Sequence, residues 1–211
     1  MFCYQCQETA KNTGCIVKGI CGKTEETANL QDLLIYVLKG ISIYGEEVKE
    51  KGASDNKYGL FIARALFATI TNANFDNDRL ITLIREGLKL RDELKKKCGG
   101  NISGALHDSA VWFSDDPAEF NKKADSVGVL STDNEDVRSL RELLIIGLKG
   151  IAAYADHAAI LGLEDEKIYA FLMEALASTT KDLTVDEMVA MVMKAGECAV
   201  TGMALLDKAN T

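Results

Sequence analysis

The sequence predicts an all-α protein: two tandem three-helix bundles related by internal duplication, preceded by an N-terminal cysteine-rich cluster-binding loop. Three observations predict it. Apolar residues recur at helical spacing through most of the chain. A single proline, Pro117, and 7% aromatic content suit long uninterrupted helices better than a many-turned β fold. Leu30 to Tyr44, LQDLLIYVLKGISIY, aligns without gaps on Leu140 to Tyr154, LRELLIIGLKGIAAY, with nine identities in fifteen. At the same offset of 110 residues Phe61, Ala65, Leu66 and Thr69 fall on Phe171, Ala175, Leu176 and Thr179. Lys39-Gly40 also recurs as Lys149-Gly150, which marks a duplicated unit rather than two unrelated amphipathic helices.

Residues 1–23 form the cysteine-rich loop. Thr24 is the expected N-cap of the first helix, with Glu25 and Glu26 at the positive end of its dipole. Its stripe of Leu30, Leu33, Leu34, Val37, Leu38, Ile41, Tyr44 and Val48 is expected to end near Gly52. A second helix is expected over about Asp55 to Thr71 and a third over about Asp76 to Lys97, the latter closed by Gly99 and Gly100 behind a basic last turn. These three make the first bundle, 24–99. Periodicity fails over the connector 100–132, apart from a short helix opening at Pro117 behind Asp116, and Trp112 there reads as a local core anchor. The second bundle, 133–211, is expected to use helices over about Asp133 to Leu161, Glu164 to Thr179 and Thr184 to Lys208. Capping-box spacing at Thr132/Glu135 and Thr184/Glu187 supports two of these starts.

Four of six cysteines crowd the first loop as Cys3, Cys6, Cys15 and Cys21, in the pattern Cys-x2-Cys-x8-Cys-x5-Cys. Such a cluster is usually a framework or a ligand set. A disulfide framework wants a secreted chain, and no apolar signal segment precedes Cys3. A four-thiolate zinc site suits the Cys-x2-Cys pair, although zinc modules usually join two short knuckles, and an iron–sulfur cluster is the third reading. Gly14, Gly19 and Gly22 stand near these cysteines, where missing side chains would let backbone N–H groups turn toward sulfur. Lys11, Lys18 and Lys23 are candidates to offset thiolate charge.

A net charge of −8 and a pI near 4.9 argue against nucleic acid as a partner. No apolar run is expected to approach the length needed to span a bilayer, so the chain reads as soluble, without a membrane partner. Free-looking cysteines without a targeting segment place it in a reducing cytoplasm. Cys98 and Cys198 read as packed thiols, and His107 and His157 as ordinary polar residues, since adjacent helical positions such as Asp156 and His157 point apart. Gly40 and Gly150 are expected to let helices approach closely. No phosphate loop, dinucleotide fingerprint or nucleophile motif appears.

The segments MFCYQCQETAKNTGC, VKGICGKTEETANLQDLLIYVLKGISIYGE, FATITNANFD (Phe67 to Asp76), NEDVRSLRELLIIGLKGIAAYA (Asn134 to Ala155) and EALASTTKDLTVDEMVAMVMKAGE (Glu174 to Glu197) closely resemble the start of the hybrid cluster proteins, also called prismane proteins or hydroxylamine reductases. The resemblance implies an all-α first domain of two three-helix bundles. It also implies a cubane [4Fe-4S] cluster on Cys3, Cys6, Cys15 and Cys21, whose gaps match the cubane variety rather than the [2Fe-2S] variety. Complete members add α/β domains holding a hybrid iron–sulfur–oxygen cluster, where hydroxylamine is reduced to ammonia and water and nitric oxide has been proposed as a substrate. The ligands of that second cluster are not in this sequence. The expectation is therefore an electron-transfer domain, not catalytically competent alone, whose partners are the catalytic domains of the parent chain and a redox donor protein. The alternative is a zinc-stabilised or metal-free helical interaction module.

Overall fold

The computed structural model describes residues 3–8, 13–50, 55–99 and 106–211, and among them the chain folds into seven α-helices. They are α1 (Glu25–Glu50), α2 (Asn56–Ala68), α3 (Asn77–Lys97), α4 (Pro117–Ala124), α5 (Glu135–Ile160), α6 (Glu166–Ser178) and α7 (Val185–Asn210). The expected end of α1 near Gly52 lies outside the described residues, as does Gly100, whereas α3 ends at Lys97 as expected, with Gly99 behind it at φ +77°.

Side-chain caps account for the starts. Thr24 Oγ1 accepts the N–H of Thr27 at 3.2 Å, Asp76 accepts that of Arg79 at 3.0 Å, and Asp116 accepts that of Ala118 at 2.9 Å with Pro117 behind it. Thr184 and Glu187 form the expected capping box. At α5 the cap moves two residues: Asn134 accepts the Val137 N–H at 3.0 Å, while the Thr132 hydroxyl is taken by Arg141 at 3.3 Å. Each cap is worth about 1 kcal/mol. A fully buried Leu or Ile is worth about 1.5–3 kcal/mol, so packing rather than capping decides the architecture.

That packing crosses the boundary between the repeats. Helix α1 lies along α3 and α5 along α7, but α2 packs chiefly on α5 and α6, and α6 packs on α1 and α2. Each long pair thus receives the middle helix of the other repeat, and one continuous core contains Leu34, Ile62 and Leu88 together with Leu148, Leu172 and Met188. The crossing of α2 and α6 shows why. A Cβ on Gly59 would fall 2.2 Å from Cβ of Tyr169, and these two positions are equivalents at the 110-residue offset. Equivalent residues touching each other place a pseudo-two-fold axis between α2 and α6, with a glycine hole facing a tyrosine knob.

The connector lies across α1 rather than between two bodies. A short 3-10 turn, Asp108–Ala110, presses the Ser109 carbonyl against Gly40, where an added Cβ would be 2.1 Å from that oxygen. The close approach made by Gly40 is therefore to a turn and not to a helix, and Gly150 has nothing within 4 Å of an added Cβ. Tyr44 donates to the Ala110 carbonyl at 3.2 Å, Tyr36 donates to Asp108, and Trp112 meets Tyr36 edge-on at 6.1 Å.

One expectation about composition is corrected here. Helices α5 and α7 are each 26 residues long and apolar enough to cross a bilayer by length and composition, since interrupted apolar stretches add up over such lengths. Half of the apolar window of α5 is buried in the fold, and 11% of that of α7.

Candidate metal centre

The cysteine loop is built by two backbone devices. Cys3 and Cys15 exchange both main-chain hydrogen bonds, 3.4 Å from Cys3 N to Cys15 O and 2.9 Å in return, forming an isolated antiparallel bridge that sets the first and third cysteines side by side. Between residues 19 and 23 a tight turn follows: Gly22 N–H donates to Gly19 O at 2.8 Å and Gly19 N–H to Lys23 O at 2.9 Å. Glycine is needed at both places. Gly22 has φ +93°, and a Cβ on Gly19 would stand 3.0 Å from the Lys23 carbonyl. These N–H groups are spent within the turn rather than on sulfur, which corrects the expectation for Gly19 and Gly22.

The turn drives Lys23 inward. Lys23 is 1% exposed. Its Nζ donates to Gln31 Oε1 at 2.7 Å and to Gln5 Oε1 at 3.3 Å, and lies 4.0 Å from Cys3 Sγ. Gln5 Nε2 donates to Gln31 Oε1 at 3.2 Å, and Gln31 Nε2 to the Asn74 carbonyl at 3.1 Å, so the loop is tied to α1 and to the α2–α3 turn. Among the described residues no carboxylate forms an ion pair with Lys23. The direct contacts of this buried ammonium are neutral oxygens and a thiol, and the nearby Asp32 carboxyl acts on it only through longer-range charge, so further negative charge beside it would be stabilised. Lys18, by contrast, is exposed, and Lys11 lies outside the described residues.

Cys3, Cys6, Cys15 and Cys21 are free thiols. Cys15 is buried against Ala28 with Cys3 beside it, Cys6 is half-buried and Cys21 is exposed at the tip of the turn. Burial pushes the Cys3 thiol above its ordinary value, against the pull of the Gln5 backbone and of Lys23. The structure thus pairs Cys3 with Cys15, and among the described residues it gathers no group of three or more His, Cys, Asp or Glu side chains placed for a metal. The donor chemistry fits a thiolate-ligated metal or cluster nonetheless: four thiols without disulfides in one loop, two brought together, and a buried cation at the sulfur of one.

Elsewhere the candidates are structural. Cys98 is buried, with its Sγ 3.5 Å from the Tyr44 carbonyl, and burial pushes the Cys198 thiol up to about 11. Asp156 pairs with Arg64 at 3.1 Å while His157 stacks edge-on against Phe67, so the two neighbours do point apart. An apolar cavity of about 300 Å³ is lined by Val48, Tyr58, Leu94, Tyr169 and Met173 and by none of the cysteines, whereas a polar cleft of similar size, lined by Tyr4, Glu25, Asn29 and Asp32, lies beside the cysteine loop.

The sequence reading missed a charged seam between α1 and α5. Asp32 and Glu142 are repeat equivalents, as are Lys39 and Lys149. Burial pushes Asp32 up to about 7, opposed chiefly by Lys149, and raises Glu142, opposed chiefly by Lys39. Lys149 in turn is pushed down to about 8 by burial, and its Nζ donates to the Thr69 carbonyl at 3.0 Å. The signal was available in the recurrence of Lys39 and Lys149 with an acid seven residues before each.

Comparison with known proteins gives the chain's relatives. The hydroxylamine reductase of Desulfosudis oleivorans is 63% identical over 213 residues, covering 100% of this chain and 39% of the relative. Those of Nitratidesulfovibrio vulgaris and Desulfitobacterium hafniense are 64% and 60% identical, again over 100% of this chain and 39% of each relative. The chain therefore spans about two fifths of the length of these relatives, at their N-terminal end. Residues 1–211 match the Prismane/CO dehydrogenase family throughout, and the chain belongs to that family.

Proposed function

We propose that this chain is the N-terminal electron-transfer part of a hydroxylamine reductase, with Cys3, Cys6, Cys15 and Cys21 holding a [4Fe-4S] cluster. The observation that carries this reading is Lys23, whose buried Nζ lies 4.0 Å from Cys3 Sγ with no carboxylate partner among the described residues. Four thiolates around iron and sulfide carry net negative charge, and a buried cation at their edge offsets it. Such a cluster, when bound, accepts and returns one electron at a time. The chain's own residues do the rest. The Cys3–Cys15 bridge fixes two ligands, Gln5 and Gln31 orient the Lys23 ammonium, and Cys21 on the exposed turn gives the site an edge open to a redox donor protein.

No residue of this chain is assigned to substrate chemistry. Reduction of hydroxylamine to ammonia and water consumes two electrons and two protons, and the catalytic domains of the parent chain, with their hybrid iron–sulfur–oxygen cluster, would carry it out, as would any reduction of nitric oxide. Four loop cysteines that form no disulfide suit a reducing cytoplasm.

The test is an anaerobic preparation with iron and acid-labile sulfide quantified beside the visible spectrum. The expected result is about four irons and four sulfides per chain, with broad absorption bleached by reductant and lost or converted in Cys15→Ser. Helix content should persist in that variant. About one zinc per chain without colour, even after anaerobic reconstitution, would overturn the redox assignment in favour of a zinc-stabilised helical module.

A further inference from the structure

The duplication lets one half of the molecule serve as a template for the other. On α1 the face formed by Leu33, Tyr36, Gly40 and Tyr44 is covered, with Leu33 0% and Tyr36 5% exposed. Its cover includes the polypeptide that follows α3: Ser109 sits on Gly40, Asp108 and Trp112 meet Tyr36, and Ala110 accepts from Tyr44. The equivalents on α5 are Leu143, Ile146, Gly150 and Tyr154. There Leu143 is 53% and Ile146 50% exposed, and Gly150 faces open space. The opposite faces do not differ in this way: Leu34 and Leu144, like Leu38 and Leu148, are fully buried in both repeats. One repeat thus wears a cover that the other lacks, over residues that remain apolar or glycine.

In the template the cover comes from the connector that follows the repeat's third helix. In the relatives more than half of the polypeptide follows the region matched here. We propose that in the full-length protein the segment following α7 folds back over α5 as residues 106–131 fold over α1, laying its backbone on Gly150 and its side chains on Leu143 and Ile146. A bare glycine within a helix is otherwise unfavourable relative to alanine, and the close approach at Gly40 shows what the recurring glycine is for. The docking surface is thus intramolecular, and the reading does not depend on which metal the cysteines hold.

Two measurements on the full-length protein test this. With a benzoylphenylalanine photocrosslinker in place of Ile146, the expected product is an intrachain link to the first roughly 40 residues after α7, by the spacing of the repeat. A link to a second copy, a link to a remote segment, or no link at all would overturn the proposal. Separately, Gly150→Ala should lower the thermal midpoint if a backbone lies on the glycine, as a Cβ at Gly40 would collide with Ser109. A raised midpoint, the gain expected of a bare helical glycine, would overturn it. Neither readout requires the cluster to be present.

Discussion

Lys23 is a cation enclosed by two glutamine side chains, a thiol and the wall of α1. In Lys23→Met the butyl stem keeps its packing but the Oε1 atoms of Gln31 and Gln5 lose their donor. Hydrogen bonds to a charged group are worth about 1.5–3 kcal/mol, and a stranded buried acceptor adds to the loss. The expected outcome is destabilisation of about that size in urea titration, with the cysteine loop loosened from α1. A variant as stable as the parent would mean that these bonds contribute nothing net. The crowding of four cysteines in one loop is legible from spacing alone, but spacing leaves zinc and iron–sulfur both open. The role of Lys23 was not separable from Lys11 and Lys18, because three lysines in a polar loop look alike until a turn at Gly19 and Gly22 decides which one faces inward. The same limit applies to Gly19 and Gly22, since nearness to cysteine in sequence does not reveal that their N–H groups close a turn.

At the scale of the element, helix existence and ends followed from capping chemistry and periodicity, and the misplacement at Thr132 arose because Arg141, nine residues along, claims that hydroxyl. What periodicity cannot report is which neighbour an apolar stripe meets. Helices α2 and α6 carry ordinary amphipathic patterns, yet each packs against the other repeat's long helices. The crossing at Gly59 and Tyr169 gives this a test. Gly59→Ala should gain up to about 1 kcal/mol of helix propensity. The same methyl group collides with Tyr169, and overpacking typically costs about 1–3 kcal/mol, so the net expectation is a loss. A lower urea midpoint is the expected result, while a higher one would mean that α2 does not cross α6 at this point.

At the scale of the whole molecule, the pseudo-two-fold axis brings the acid of each repeat near the lysine of the other across the α1–α5 seam, and this makes folding depend on pH in a defined direction. Asp32 holds its proton more tightly in the folded state, where its value is about 7, than in the unfolded chain, where it is near 3.8. Its contribution to stability is therefore full below the unfolded value and is lost as pH rises through the folded one. Lys149 runs the other way: its folded value of about 8 lies below the ordinary 10.5, so over that interval the unfolded chain binds the proton more tightly and stability rises with pH. Replacing Asp32 by Asn isolates the first effect, because asparagine keeps the shape of the protonated acid and cannot ionise. Relative to the parent protein, Asp32→Asn should be near neutral at about pH 3, increasingly stabilising as pH rises through the interval between the unfolded and folded values, and most stabilising at about pH 8, read as the difference in unfolding free energy between the two proteins at each pH. Comparing the two proteins cancels the titration of the many surface carboxylates they share. A difference that stays flat over this range would show that Asp32 ionises in the folded protein as it does in the unfolded chain, and that the seam does not penalise its charge.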